Sequence, residues 1–104
     1  MRLIFVSDAG RTHDLVAQCR DADALVIEAT YLDLEVDMAR QFGHLTARQA
    51  ASLARDAGVK QLYLTHISRR YRERDVIEEA CAVFPHTTVV RDFDHFKISR
   101  PNKP

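Results

Sequence analysis

Leu3-Ile-Phe-Val-Ser-Asp8 is a short apolar run that stops on a carboxylate. Two later runs repeat the design, Ala24-Leu-Val-Ile-Glu28 and Leu62-Tyr-Leu-Thr-His66. Short apolar runs bounded by turn residues read as buried strands. In an open α/β sheet the carboxyl ends of parallel strands line the ligand crevice, so Asp8, Glu28 and His66 are expected to face one place. Each of the three side chains can hold a metal ion or move a proton.

Helical patterns separate the runs. Residues 2–7 are expected as the first strand, closed by Asp8-Ala9-Gly10, and Thr12 offers an N-cap to a helix with Leu15, Val16 and Cys19 at helical spacing. Residues 24–29 form the second strand, and Leu34 to Phe42 fit a short helix ended by Gly43. Thr46-Ala-Arg-Gln49 is a capping box opening a helix with a narrow alanine face (Ala47, Ala50, Ala51, Ala54, Ala57), and Gly58 sits where a left-handed cap belongs. Residues 61–66 make the third strand. Asp75-Val-Ile-Glu78 reads as a second capping box, with Pro85 as the stop after Phe84. Thr87 to Val90 give a fourth strand, His95-Phe-Lys-Ile98 a short edge strand, and Arg100-Pro-Asn-Lys-Pro104 a frayed end.

Strands alternating with helices imply right-handed crossovers and a mostly parallel sheet. The expected class is α/β, one domain over 1–98 with a flexible tail over 99–104. About four strands are too few to bury both faces of a parallel sheet, so a covering surface is expected to come from elsewhere.

With 15 basic and 15 acidic residues the 104-residue chain carries no net charge, which excludes a global field drawing it to nucleic acid or an anionic membrane. Its 46% hydrophobic content is that of a soluble protein, and no apolar stretch approaches the roughly 18 to 20 residues that cross a bilayer. No signal-peptide layout opens the sequence, so the cytoplasm is the expected compartment. Cys19 and Cys81 fall on apolar helix faces and read as small core residues rather than a disulfide or metal pair.

Glu28 continues an apolar strand, and a carboxylate there requires a partner. His44, between Gly43 and the Thr46 cap, lies just before a helix N-terminus that favours anions, a suitable place for a histidine that protonates a leaving oxygen. A Glu28–His44 pair would keep that ring oriented. Arg69, Arg70, Arg72 and Arg74 surround Tyr71 and could meet phosphates and stack a base, although interleaved Glu73 and Asp75 make an ordinary solvated loop the blander account. For Asp8 the bland account is a capping or turn residue, and for His66 a structural one. His13, His86 and His95 read as solvated surface residues.

Taken together, Val6-Ser-Asp8, Ile27-Glu-Ala-Thr30, Gly43-His-Leu-Thr-Ala-Arg-Gln-Ala50 and Leu64-Thr-His-Ile-Ser-Arg-Arg-Tyr71 resemble the C-terminal half of ribonuclease Z and related phosphodiesterases of the metallo-β-lactamase superfamily, in register over roughly residues 2–92. The resemblance implies one half of an αβ/βα sandwich, a di-zinc centre and phosphodiester hydrolysis, in ribonuclease Z at the 3′ side of precursor tRNA. It casts Asp8 as the carboxylate bridging two metals and His66 as a terminal zinc ligand. It casts His44 as proton donor, Glu28 as its orienting partner, and Arg70 as a neighbour of the scissile phosphate.

Departures accompany the match. Ile27 replaces the first histidine of the family's His-Glu-Ala-Thr motif, and Leu45 replaces the serine after the loop histidine. The family's His-x-His-x-Asp-His ligand run is not in the sequence. Two direct ligands are too few for tight zinc binding by a monomer, so the expectation is a partial hydrolase, inactive in isolation and completed by the N-terminal half or by a second copy. The competing expectation is a non-catalytic α/β module that binds an anion or nucleotide, or forms a homodimer through the uncovered sheet face.

Overall fold

The computed structural model describes residues 1–6 and 13–90. Four strands, β1 (Leu3–Val6), β2 (Ala24–Glu28), β3 (Gln61–Thr65) and β4 (Thr87–Val89), form one sheet in the order β1-β2-β3-β4, with every pairing parallel. The connecting helices are α1 (His13–Cys19), α2 (Val36–Gln41), α3 (Ala47–Ala57) and α4 (Glu73–Cys81). The small parallel α/β sheet is as expected from the sequence, with each strand ending within a residue or so of its expected bounds. The Asp8-Ala9-Gly10 turn, the Thr12 cap, the edge strand at His95–Ile98 and the tail lie outside the described residues.

A sheet that steps always in one direction through right-handed crossovers receives all of its helices on one face. The packing agrees, because α3 lies between α1 and α4 and covers β2 and β3. Register then sorts the strand residues. The row Ile4, Leu25, Leu62, Thr87 and the row Val6, Ile27, Leu64, Val89 alternate with the row Phe5, Val26, Tyr63, Thr88. Leu25, Ile27, Leu62, Leu64 and Val89 join the helix-side core, together with the alanines of α3 and Val76 and Ala80 of α4. Small side chains let α3 sit close to the sheet, and all five of its expected alanines are buried. On the opposite face Leu3 and Phe5 remain 48% and 50% exposed.

Local chemistry fixes the ends of α3. Thr46 Oγ1 accepts from Gln49 N–H at 3.1 Å while Thr46 N–H donates to Gln49 Oε1 at 2.9 Å, the expected capping box. Gly58 closes the helix at φ 71°, a left-handed geometry that glycine adopts without strain. A further tie arrives from α4. The Glu79 carboxylate accepts the backbone N–H of Asp33 and of Arg48, each at 3.0 Å, and Thr46 Oγ1 reaches Asp33 Oδ1 at 3.2 Å.

Two helix expectations change. The Asp75–Glu78 capping box does not form: α4 begins at Glu73 with Arg72 at its N-cap, because the Arg72 guanidinium takes the Asp75 carboxylate through contacts of 3.1 and 3.3 Å. The expected helix over Leu34 to Phe42 divides into a 3₁₀ turn at Asp33–Glu35 and α2, since Glu35 leaves helical geometry at φ −114°, ψ 34°. Of the cysteines, Cys19 is wholly buried and burial raises its thiol pKa, against a smaller opposing pull from Arg2, while Cys81 is partly buried; neither forms a disulfide.

Candidate functional site

β2 and β3 are register neighbours, and their last residues pair as Glu28 with Thr65, so the loops leaving the two strands emerge side by side. His66 comes next, with a positive φ of 59° that turns the chain sharply off β3. For a residue with a Cβ that conformation is uncommon, and departures of this kind concentrate at functional sites. Its Nδ1 lies 3.2 Å from Glu28 Oε1, with the carboxylate 20% exposed and the imidazole 71% exposed. A ring whose Nδ1–H is held by a carboxylate keeps the Nε2 lone pair for another centre.

The partner of Glu28 is therefore His66, not His44 as the sequence had suggested. Among the described residues, the His44 ring instead neighbours Tyr31, with ring centroids 6.1 Å apart. Its backbone is set by Gly43 at φ 72° and by a 2.8 Å bond from His44 N–H to Ala39 O. Tyr31 also holds the chain on either side of the Thr46 cap: Tyr31 N–H donates to Leu45 O at 3.4 Å and Ala47 N–H to Tyr31 O at 2.8 Å. His44 thus sits beside the loop after β2, two residues before the α3 cap.

Arg70 belongs to the turn after His66, where Ser68 N–H donates to Thr30 O at 3.1 Å and Tyr71 N–H to Ser68 O at 3.2 Å. Its Nη2 lies 3.0 Å from Glu35 Oε2, and its guanidinium stands 5.8 Å from the centroid of the Tyr71 ring. The Tyr71 hydroxyl donates to the other oxygen of the same carboxylate, Glu35 Oε1. Arg72 and Arg74, by contrast, pair with Asp75 and Glu78 at the exposed surface of α4. They are solvated as the blander account expected, but on the first turn of a helix rather than in a loop.

One connection organises all of this. The stretch from Glu28 to Glu35 touches His66 through Glu28, the His44 segment through Tyr31, and Arg70 through Glu35. Tyr31 and Glu35 were not singled out from the sequence. Tyr31 carries no pattern that marks it, and Glu35 looks like an ordinary charged residue at the start of a helix. Asp8 lies outside the described residues, as does His95, while the His86 ring meets Phe84 edge-on at 6.0 Å.

Zinc, implied by the sequence resemblance, requires three or four protein donors. Among the described residues no three His, Cys, Asp or Glu side chains come together to hold an ion. His66 offers one ready donor with a carboxylate behind it, so the described residues do not complete a metal site alone. No helix among them is long and apolar enough to cross a membrane.

The chain is 43% identical over 97 residues to a ribonuclease Z of Bradyrhizobium diazoefficiens, covering 93% of this chain and 32% of that protein. It is 48% identical over 101 residues to a ribonuclease Z of Ligilactobacillus salivarius, covering 94% and 32%. The chain thus spans about a third of the length of the curated relatives it matches. Among solved structures, human tRNase Z, short form, superposes at a TM-score of 0.58 with 35% identity, over 75% of this chain and 25% of that one. The metallo-beta-lactamase fold protein YhfI from Bacillus subtilis superposes at 0.75 with 23% identity, over 86% and 36%, which speaks for the fold. The family model described as the beta-lactamase superfamily domain matches residues 1–67, from β1 through the His66 turn, and the chain belongs to that superfamily.

Proposed function

We propose that this chain supplies one wall of a ribonuclease Z-like, metal-dependent phosphodiester-hydrolysing site, and that the site is completed by a further polypeptide segment. The observation carrying this reading is the Glu28–Glu35 stretch, which ties His66, the His44 segment and Arg70 together at the carboxyl ends of β2 and β3. Asp8 and His66 are the residues that would contribute ligands to zinc, and the metal, when bound, supplies Lewis acidity at the phosphate.

The remaining roles belong to this chain's own side chains. Glu28 holds the His66 ring by Nδ1, fixing which nitrogen faces outward. His44, just before the α3 N-terminus, gives a proton to the departing oxygen. Arg70 meets the phosphate oxygens, to which a guanidinium presents several N–H donors in a planar fork. RNA is a substrate of the right chemistry, since its backbone is a phosphodiester. The completing segment packs beside Leu3, which lies half exposed at the start of β1.

The test mixes this chain with the N-terminal portion of a ribonuclease Z that carries the His-x-His-x-Asp-His run, adds zinc, and follows hydrolysis of a chromogenic phosphodiester. Activity above that of either part is expected, and His44→Ala should lower it by roughly 10²- to 10⁴-fold. No gain on mixing overturns the reading. The exposed Leu3 also favours a second reading, in which two copies pair through this face; sedimentation of the chain alone distinguishes a dimer from a monomer.

A further inference from the structure

Resting on that reading of Arg70, we propose that Glu35 is a positioning and specificity residue, which fixes the Arg70 guanidinium and makes the site favour a singly charged phosphodiester over a doubly charged phosphomonoester. Glu35 is 16% exposed at its side chain and uses both carboxylate oxygens on the turn after β3. Oε2 takes Arg70 Nη2 at 3.0 Å, and Oε1 accepts the Tyr71 hydroxyl. Arg70 is thereby held from one side by the carboxylate and lies within cation–π distance of the Tyr71 ring, 5.8 Å from its centroid. A third contact, Nη1 to Met38 Sδ at 3.8 Å, sets the guanidinium against α2.

The arrangement leaves Arg70 oriented and half exposed, with N–H donors beyond those used by Glu35 and Met38. It also leaves the group with a fixed negative charge beside it. An anion approaching Arg70 meets one positive and one negative charge, so added charge on the ligand gains little. An ordinary arginine site binds a dianion more tightly than a monoanion, whereas this pair removes that advantage. A carboxylate roughly 6 Å from a ligand in water-like surroundings changes its affinity by about threefold per unit of ligand charge.

Titrations of the full chain with methyl phosphate and with dimethyl phosphate, followed at the backbone amide resonances of the turn that carries Arg70, test the assignment. At pH 8 the first is doubly charged, because the second ionisation of a phosphomonoester lies near 6, and the second is singly charged. In the unmodified chain methyl phosphate is expected to bind no more tightly than dimethyl phosphate; several-fold tighter binding would overturn the proposal without recourse to any variant. Glu35→Gln is expected to gain about tenfold for methyl phosphate and about threefold for dimethyl phosphate, shifting their ratio by about threefold. Tyr71→Phe keeps the carboxylate charge and should leave that ratio where it was.

An unchanged ratio in a folded Glu35→Gln overturns the role of Glu35 while leaving Arg70 as the phosphate contact. Arg70→Ala separates the two readings, since it should abolish the response to both ligands. If both still bind as before, Arg70 is not the anion contact, and both the assignment to Arg70 and the role of Glu35 fall.

Discussion

The two faces of this sheet are built from the same strands yet finished to different degrees. Toward the helices, Leu25, Ile27, Leu62 and Leu64 are wholly buried under a layer of alanines. Toward the other side, Leu3 and Phe5 stay half exposed although Val26, the register neighbour of Phe5, is buried. The sequence order of the strands produces the asymmetry, because unidirectional crossovers deliver every helix to one face. Packing on the helix side is therefore complete along the sheet, while on the second side burial reaches Val26 at the centre and leaves Leu3 half exposed at the start of β1.

Substitutions on the two faces should diverge accordingly. Leu64→Ala opens a cavity in the covered face and is expected to cost about 3 kcal/mol, read as a shift of the denaturant midpoint. Ala51→Leu forces extra volume between α3 and its neighbours and should cost about 2 kcal/mol in the same measurement. Leu3→Ser on the other face is expected to change stability by less than about 1 kcal/mol while reducing any self-association seen by sedimentation. A loss at Leu3 as large as that at Leu64 would mean that this chain already covers both faces.

The smallest effect expected is a pH dependence at the sheet's opening edge. The backbone N–H of Arg2, at 2.6 Å, and the Lys60 ammonium hold the Asp23 carboxyl below its ordinary pKa. A carboxylate depressed in the folded state adds stability above its unfolded pKa of about 3.9, and the increment is lost as pH falls through the folded value. Asp23→Asn should flatten the acid limb of a stability-against-pH curve below about pH 4, because the substituted side chain no longer takes up a proton on unfolding.

Periodicity and caps made most of the fold legible. The Thr46–Gln49 box and Gly58 work locally, within one turn of chain, so their signature survives in any tertiary setting. Asp75 failed as a cap for the opposite reason: Arg72, three residues earlier, competes for its carboxylate. The site divides along the same line. The placement of Glu28 and His66 at strand ends follows from the apolar runs, and the need of a buried carboxylate for a partner follows from desolvation. Which imidazole supplies the partner depends on strand pairing, and the β2–β3 register gives it to His66. Glu35 and Tyr31 act across 36 and 13 residues of sequence, on Tyr71 and His44, and no local pattern encodes such contacts.

Because β2 pairs with β1, β3 with β2 and β4 with β3, each of these three strands, among the described residues, finds a neighbour already synthesised. Each βα unit leaving the ribosome meets an edge already made, so the sheet can grow vectorially and the search for long-range partners stays short. The same ordering keeps the newest edge as the growing one, and misregistered pairing is then most damaging early, at β1 and β2, where every later strand inherits the error.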